Sequence, residues 1–155
     1  MTQHTRTSVR VAQTIRATPE RLFRAWTDLN ELRHWWRMED EGWAFAHASL
    51  DVRVGGRYEL AMSAPDGTVH VAVGVYREVR PPTRLAFTWD WEDPEHRLGE
   101  TLVTVDFTPT SAGADTTDVV ITHERFTDSK RADSHERGWM QLLRLLDHMT
   151  KDSPP

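Results

Sequence analysis

The spacing of apolar positions changes twice along this chain of 155 residues. From Ser8 to Arg16 apolar and polar residues alternate, the two-residue period of a strand with one buried face. Thr18-Pro19-Glu20 then opens a helix: a hydroxyl to cap it, a proline where a missing N–H is harmless, and an acid at the positive end. Leu22, Phe23, Trp26 and Leu29 give that helix an apolar face. Asp28 with Glu31 three residues on is a cap signal for a short second helix carrying Leu32, Trp35 and Trp36. From residue 43 the period returns to two. β-favouring runs cover 43–50, 57–63, 69–79, 84–91, 100–108 and 117–125, parted by Gly55-Gly56, Pro65-Asp66-Gly67, Pro81-Pro82, Asp93-Pro94 and Ser111-Ala112-Gly113. Strands joined by tight turns with no helix between them imply an antiparallel meander. Asp128 to Thr150 predicts a closing helix of about six turns, with His135, Trp139, Leu142, Leu146 and Met149 at steps of four and three. The expected class is α+β: strand, two short helices, six strands, and a long helix gripped by a curved sheet.

Composition narrows this picture. A chain of 17.9 kDa hides roughly 70% of its extended surface on folding, enough for a core without staples. With no repeat, low-complexity tract or long linker, the expectation is one domain over 8–151, with 1–7 and 152–155 as flexible termini. The absence of cysteine removes disulfides, thiolate nucleophiles and Cys-ligated zinc. Residues Met1 to Arg10 are polar, and no run approaches the roughly 18 apolar residues of a membrane span, so a cytoplasmic protein without a targeting segment is expected. Nineteen Lys and Arg against 24 Asp and Glu give a net charge of −5, with the basic residues dispersed, so no footprint for nucleic acid is present.

Half of the aromatic residues are tryptophans, seven against two tyrosines and five phenylalanines. Alternation places Leu85, Phe87, Trp89 and Trp91 on one face of their run, Thr101, Val103, Val105 and Phe107 together on the next, and Val119, Ile121 and His123 on the one after. These faces should meet the last helix. Its C-terminal stripe of Leu142, Leu146 and Met149 packs dry, whereas its N-terminal part offers His135, the bare Gly138 and Trp139. Rings, one missing side chain and a few polar groups make a pocket wall. The candidate ligand-binding cavity is therefore Trp36, Tyr58, Phe87, Trp89, Trp91, Val103, His123, His135 and Trp139. Each tryptophan taken alone reads as ordinary core. The number of indoles, each with an N–H to satisfy, favours the cavity.

His123 and His135 have two readings. In one they are structural, bonded to each other, to a backbone carbonyl, or to Glu124 or Glu136; in the other, one orients a ligand or moves a proton near neutral pH. No catalytic residue, cofactor or metal is assigned, because no HxxxH, HExxH or acidic triplet stands at ligand spacing. Asp90, Glu92, Asp93 and Glu95 read as a solvated hairpin tip. Gly55-Gly56 lies between two strand-like runs, so it reads as a hairpin or bulge rather than a phosphate cradle, with Arg53 and Arg57 beside it available to an anion.

The segments TPERLFRAWTD, HWW (34–36), LDVRVGGRYEL, PDG, GVYREVRPPTRLAFTWDW, GETLVTVDF, THERF and HERGW, in that order from Val9 to Met149, resemble the bacterial branch of the Hsp90 ATPase activator homologue family. That family lies within the START-like helix-grip superfamily of polyketide cyclases and pollen allergens. The resemblance implies a seven-stranded antiparallel sheet wrapped around the last helix, with a cavity between them. It implies a binder of a small hydrophobic or aromatic molecule; separately, no sequence feature demands an oligomer, so a monomer or a homodimer is expected. Two alternatives accompany it: an interaction module for a bacterial Hsp90 in the stress response, and a cyclase- or hydrolase-type enzyme using His123 or His135.

Overall fold

In the computed structural model, residues 5–38, 41–111 and 115–151 are described. β1 (Ser8–Ile15) leads into α1 (Pro19–Thr27) and the single turn α2 (Leu29–Leu32). Then come β2 (Ala44–Leu50), β3 (Arg57–Ser63), β4 (Val69–Arg80), β5 (Arg84–Trp91), β6 (Thr101–Pro109) and β7 (Thr117–Glu124), and α3 (Ser129–Lys151) closes the chain. The caps are those read from the sequence: the Arg21 N–H donates to Thr18 Oγ1 over 3.2 Å, and the Asn30 N–H to Asp28 Oδ1 over 2.9 Å.

All seven strands form one antiparallel sheet in the order β1-β7-β6-β5-β4-β3-β2. The meander therefore runs from β2 to β7, and β1 returns to pair with β7, as the expected helix-grip architecture requires. Val9, Val11, Val103, Val105, Phe107, Val119 and Ile121 are buried beside Trp139, Leu142, Leu143 and Leu146 of α3, which builds the aliphatic half of the core.

The structure departs from the sequence reading in three places. α2 ends at Leu32, so Trp35 and Trp36 lie in the turn beyond it, where both backbone N–H groups bond to the Leu32 carbonyl. In β5 the expected alternation fails, and Ala86 and Thr88 are buried with Leu85, Phe87 and Trp89. The cause at Thr88 is a break in the β4–β5 ladder, where the Val75 N–H donates to Thr88 Oγ1 and the Tyr58 hydroxyl to the Thr88 carbonyl. Gly74 permits this, since a Cβ there would stand 1.9 Å from the Thr88 oxygen. Finally, of the termini expected to be flexible, residues 1–4 and 152–155 lie outside the described residues, as do 112 and 113 of the expected turn. Arg6 and Thr7 are held in place. The Arg6 guanidinium pairs with Asp133 and Glu136 of α3, and the Thr7 carbonyl accepts from the Phe126 N–H.

Candidate functional site

Trp89 and Trp91 sit at the end of β5, facing the first turns of α3. That part of the helix supplies His135, Gly138 and Trp139. The turn after α2 adds Trp36. A two-residue bridge, Met38 N–H to Trp43 O and Trp43 N–H to Met38 O, brings Met38 and Trp43 over the same space. Together with Met62, His70 and Leu142 these residues surround a mostly apolar cavity of about 210 Å³, with Glu41, His96 and Ser134 exposed at its rim.

The polar atoms in this wall are paired in a definite way. The Trp91 indole N–H donates to His135 Nε2 over 3.0 Å, and His135 Nδ1 stands 2.7 Å from the Arg131 carbonyl. The Trp139 indole N–H donates to His123 Nδ1 over 3.1 Å, while His123 Nε2 lies 2.8 Å from Thr101 Oγ1. An indole N–H only donates, so each accepting nitrogen is bare and the other ring nitrogen carries the proton. Both imidazoles are therefore neutral. Burial, reinforced by His135, pushes His123 down to about 2, and burial likewise lowers His135. Of the histidine partners expected from sequence, the backbone carbonyl is met by His135, whereas pairing with each other or with Glu124 or Glu136 is not. The two rings meet edge to face at 5.3 Å without a hydrogen bond, and their partners are indoles, a threonine and a backbone carbonyl rather than Glu124 or Glu136. One indole of the wall stays unmatched: Trp89 Nε1 is buried with no hydrogen-bond partner.

Of the residues singled out from sequence, Trp36, Trp89, Trp91, His135 and Trp139 come together on the cavity wall. The other four do not. His123 is wholly buried behind Trp89 and Trp139, and Val103 is core. Tyr58 and Phe87 border a separate void of only about 10 Å³. Rings divide the grip's interior: Trp26 stacks on Trp139 at 6.2 Å, and Trp36 stands edge to face with Trp139 at 5.9 Å. Among the described residues, the larger space lies where Trp36, Trp89 and Trp139 face Met38, Trp43 and Trp91. Sequence reasoning missed Met38, Trp43, Met62 and His70. Met62 and His70 are register partners across β3 and β4, a relation that only the pairing reveals. At the rim, His70, Asp93 and His96 bring their ligand atoms within 4.8 Å of one another.

Arg53 and Arg57, the anion candidates, lie elsewhere, and Arg53 is paired with Asp51 at 3.0 Å. Among the described residues, no helix is long and apolar enough to cross a membrane.

A curved antiparallel sheet closed over a long C-terminal helix, with an aromatic cavity beside the first half of that helix, defines a helix-grip protein. The model of the Activator of Hsp90 ATPase homolog 1-like protein family matches residues 16–151, and the chain belongs to that family. Among curated proteins none matches. Among solved structures, a Chromobacterium violaceum protein is similar with a TM-score of 0.82 at 28% identity, covering 96% of this chain and 100% of its own. The AHSA1 protein from Silicibacter pomeroyi is similar with a TM-score of 0.79 at 27% identity, over 93% of this chain and 97% of its own. A Mesorhizobium loti protein is similar with a TM-score of 0.74 at 26% identity, over 96% and 99%.

Proposed function

We propose that this chain binds a small apolar or aromatic molecule in the cavity under α3. The observation that carries the reading is a hollow of about 210 Å³, walled by rings and open at one side, since ligand sites are concave and mostly apolar. An apolar cavity of about 150 Å³ is enough to hold benzene, so the size suits a one-ring or compact two-ring compound, or a short acyl chain. The neutral, fully engaged imidazoles of His123 and His135 favour holding a molecule over moving its protons. The family's name points to an Hsp90 partner as a second reading, which would use the outer surface and leave the cavity idle.

Thermal denaturation against a panel of one- and two-ring aromatics and short fatty acids tests this. A compound present at 100 times its Kd adds about 2.7 kcal/mol of stability. Gly138→Leu places an isobutyl group in the cavity and is expected to stay folded while losing that gain. Equal gains in the variant and the parent, or no gain with any compound, would overturn the reading.

A further inference from the structure

His70 stands on β4, and Asp93 and His96 belong to the short 3-10 turn after β5 (Pro94–His96), where Asp93 is the cap. His96 Nδ1 is 2.8 Å from Asp93 Oδ2, and His70 Nδ1 is 3.7 Å from the same oxygen. The other Asp93 oxygen is taken up by the Glu95 N–H, so Oδ2 is the one presented to both rings.

The surroundings orient the His70 ring. Thr68 Oγ1 lies 2.6 Å from Asp66 Oδ1 and 2.9 Å from His70 Nε2. The Thr68 hydroxyl and its backbone N–H hold the Asp66 carboxyl below the usual carboxylate range, so Asp66 is ionised and can only accept. The hydroxyl proton therefore goes to Asp66, and the Thr68 oxygen accepts from His70 Nε2–H. This turns His70 Nδ1 toward Asp93 Oδ2, 3.7 Å away. With Nε2 engaged by Thr68, Nδ1 is the His70 nitrogen left to share a cation with Asp93 Oδ2 and His96 Nδ1, all three lying within 4.8 Å of one another. The Trp43 ring, 5.0 Å from that of His70, holds the imidazole in place. An N–H donated to an outer oxygen by the nitrogen that does not bind metal is also how metal-binding histidines are oriented.

We propose that His70 Nδ1, Asp93 Oδ2 and His96 Nδ1 bind a divalent transition cation of the zinc class. Two imidazoles and a carboxylate suit Zn²⁺, Co²⁺ or Ni²⁺ better than Ca²⁺ or Mg²⁺. Bonds of about 2.0–2.2 Å require the donors to draw together, and the His96 ring, 47% exposed, is free to swing inward. Binding releases the proton that His96 Nδ1 shares with Asp93. Three protein ligands leave a position for water or another donor. Because His70 and His96 also border the cavity, that position is within reach of a polar end of its occupant. This last step rests on the cavity reading; the cation site itself does not.

The test is titration of the untagged protein, without any organic compound, by calorimetry with Zn²⁺ and by visible absorption with Co²⁺. One equivalent should bind. His70→Gln and His96→Gln should each weaken it by more than about tenfold, and Thr68→Val, which frees the Nε2 proton, by about tenfold, with circular dichroism unchanged. His47→Gln, at an exposed histidine of β2, should bind like the parent. No stoichiometric uptake, or uptake by the His70 and His96 variants equal to that of the parent, would overturn the proposal whatever the cavity binds.

Discussion

Each buried indole has one N–H to place, and the solutions differ residue by residue. Trp35 gives its proton to the Ala25 carbonyl, Trp91 to His135, Trp139 to His123, and Trp26 and Trp89 find no acceptor. The sequence made the two histidines visible as inward-facing groups, but their work could not be read from it, because their partners lie 44 and 16 positions away on other elements. Of the two readings, the structural one fits: each ring accepts from an indole and engages an oxygen through its other nitrogen. Tyr58 is a similar case. Alternation places it inward, yet its hydroxyl closes the broken β4–β5 ladder at the Thr88 carbonyl. Tyr58→Phe should therefore lower stability in urea by about 1–3 kcal/mol, the usual cost of orphaning a buried acceptor, with ligand-induced shifts preserved.

At the scale of elements, hydrophobic period and turn residues were strong guides. The runs at 57–63 and 84–91 coincide with β3 and β5, and α3 is offset by a single residue. The misses share a cause, since none has a local signal. α2 stops at Leu32 without a glycine after it. The rim cluster joins a β4 residue to a loop beyond β5, and these meet only because Ala72 pairs with Trp91 and the Glu92 N–H bonds to the Val71 carbonyl. Within α3, Gly138 is the informative position. A glycine inside a helix costs about 1 kcal/mol relative to alanine, and no tight backbone approach demands it, since an added Cβ would meet nothing nearer than Met38 Sδ at 3.4 Å. Gly138→Ala is thus expected to raise the melting temperature in proportion to about 1 kcal/mol while narrowing the cavity and weakening its ligand.

For the whole molecule, the order of motifs was enough for the family and the fold, whereas the extent of the cavity was not legible. Whether a ring lines a void or plugs it depends on how six indoles meet in space. Burying neutral histidines has a global effect on stability. His123 is held near 2 in the fold against about 6.5 in an unfolded chain. Above that value both states are neutral and nothing changes. As pH falls below it, the unfolded chain gains a proton that the fold refuses, so stability drops by up to about 1.4 kcal/mol per pH unit. The lowered His135 acts in the same direction. Urea midpoints should accordingly fall from pH 7 to pH 5, and His123→Gln should flatten that slope.

The tryptophan cluster also has an optical consequence. Trp35 touches Trp26 and Trp36, Trp36 touches Trp89, and Trp89 touches Trp139 and Trp91, with ring centroids 5.0 to 6.2 Å apart throughout. Excitation absorbed by one indole passes to its neighbours over such spacings faster than it is emitted, so these rings behave as one antenna. Anything seated against Trp89 or Trp91 that accepts that energy drains the light of the whole group. The rings that shape the cavity thereby make the protein an indicator of its own occupancy.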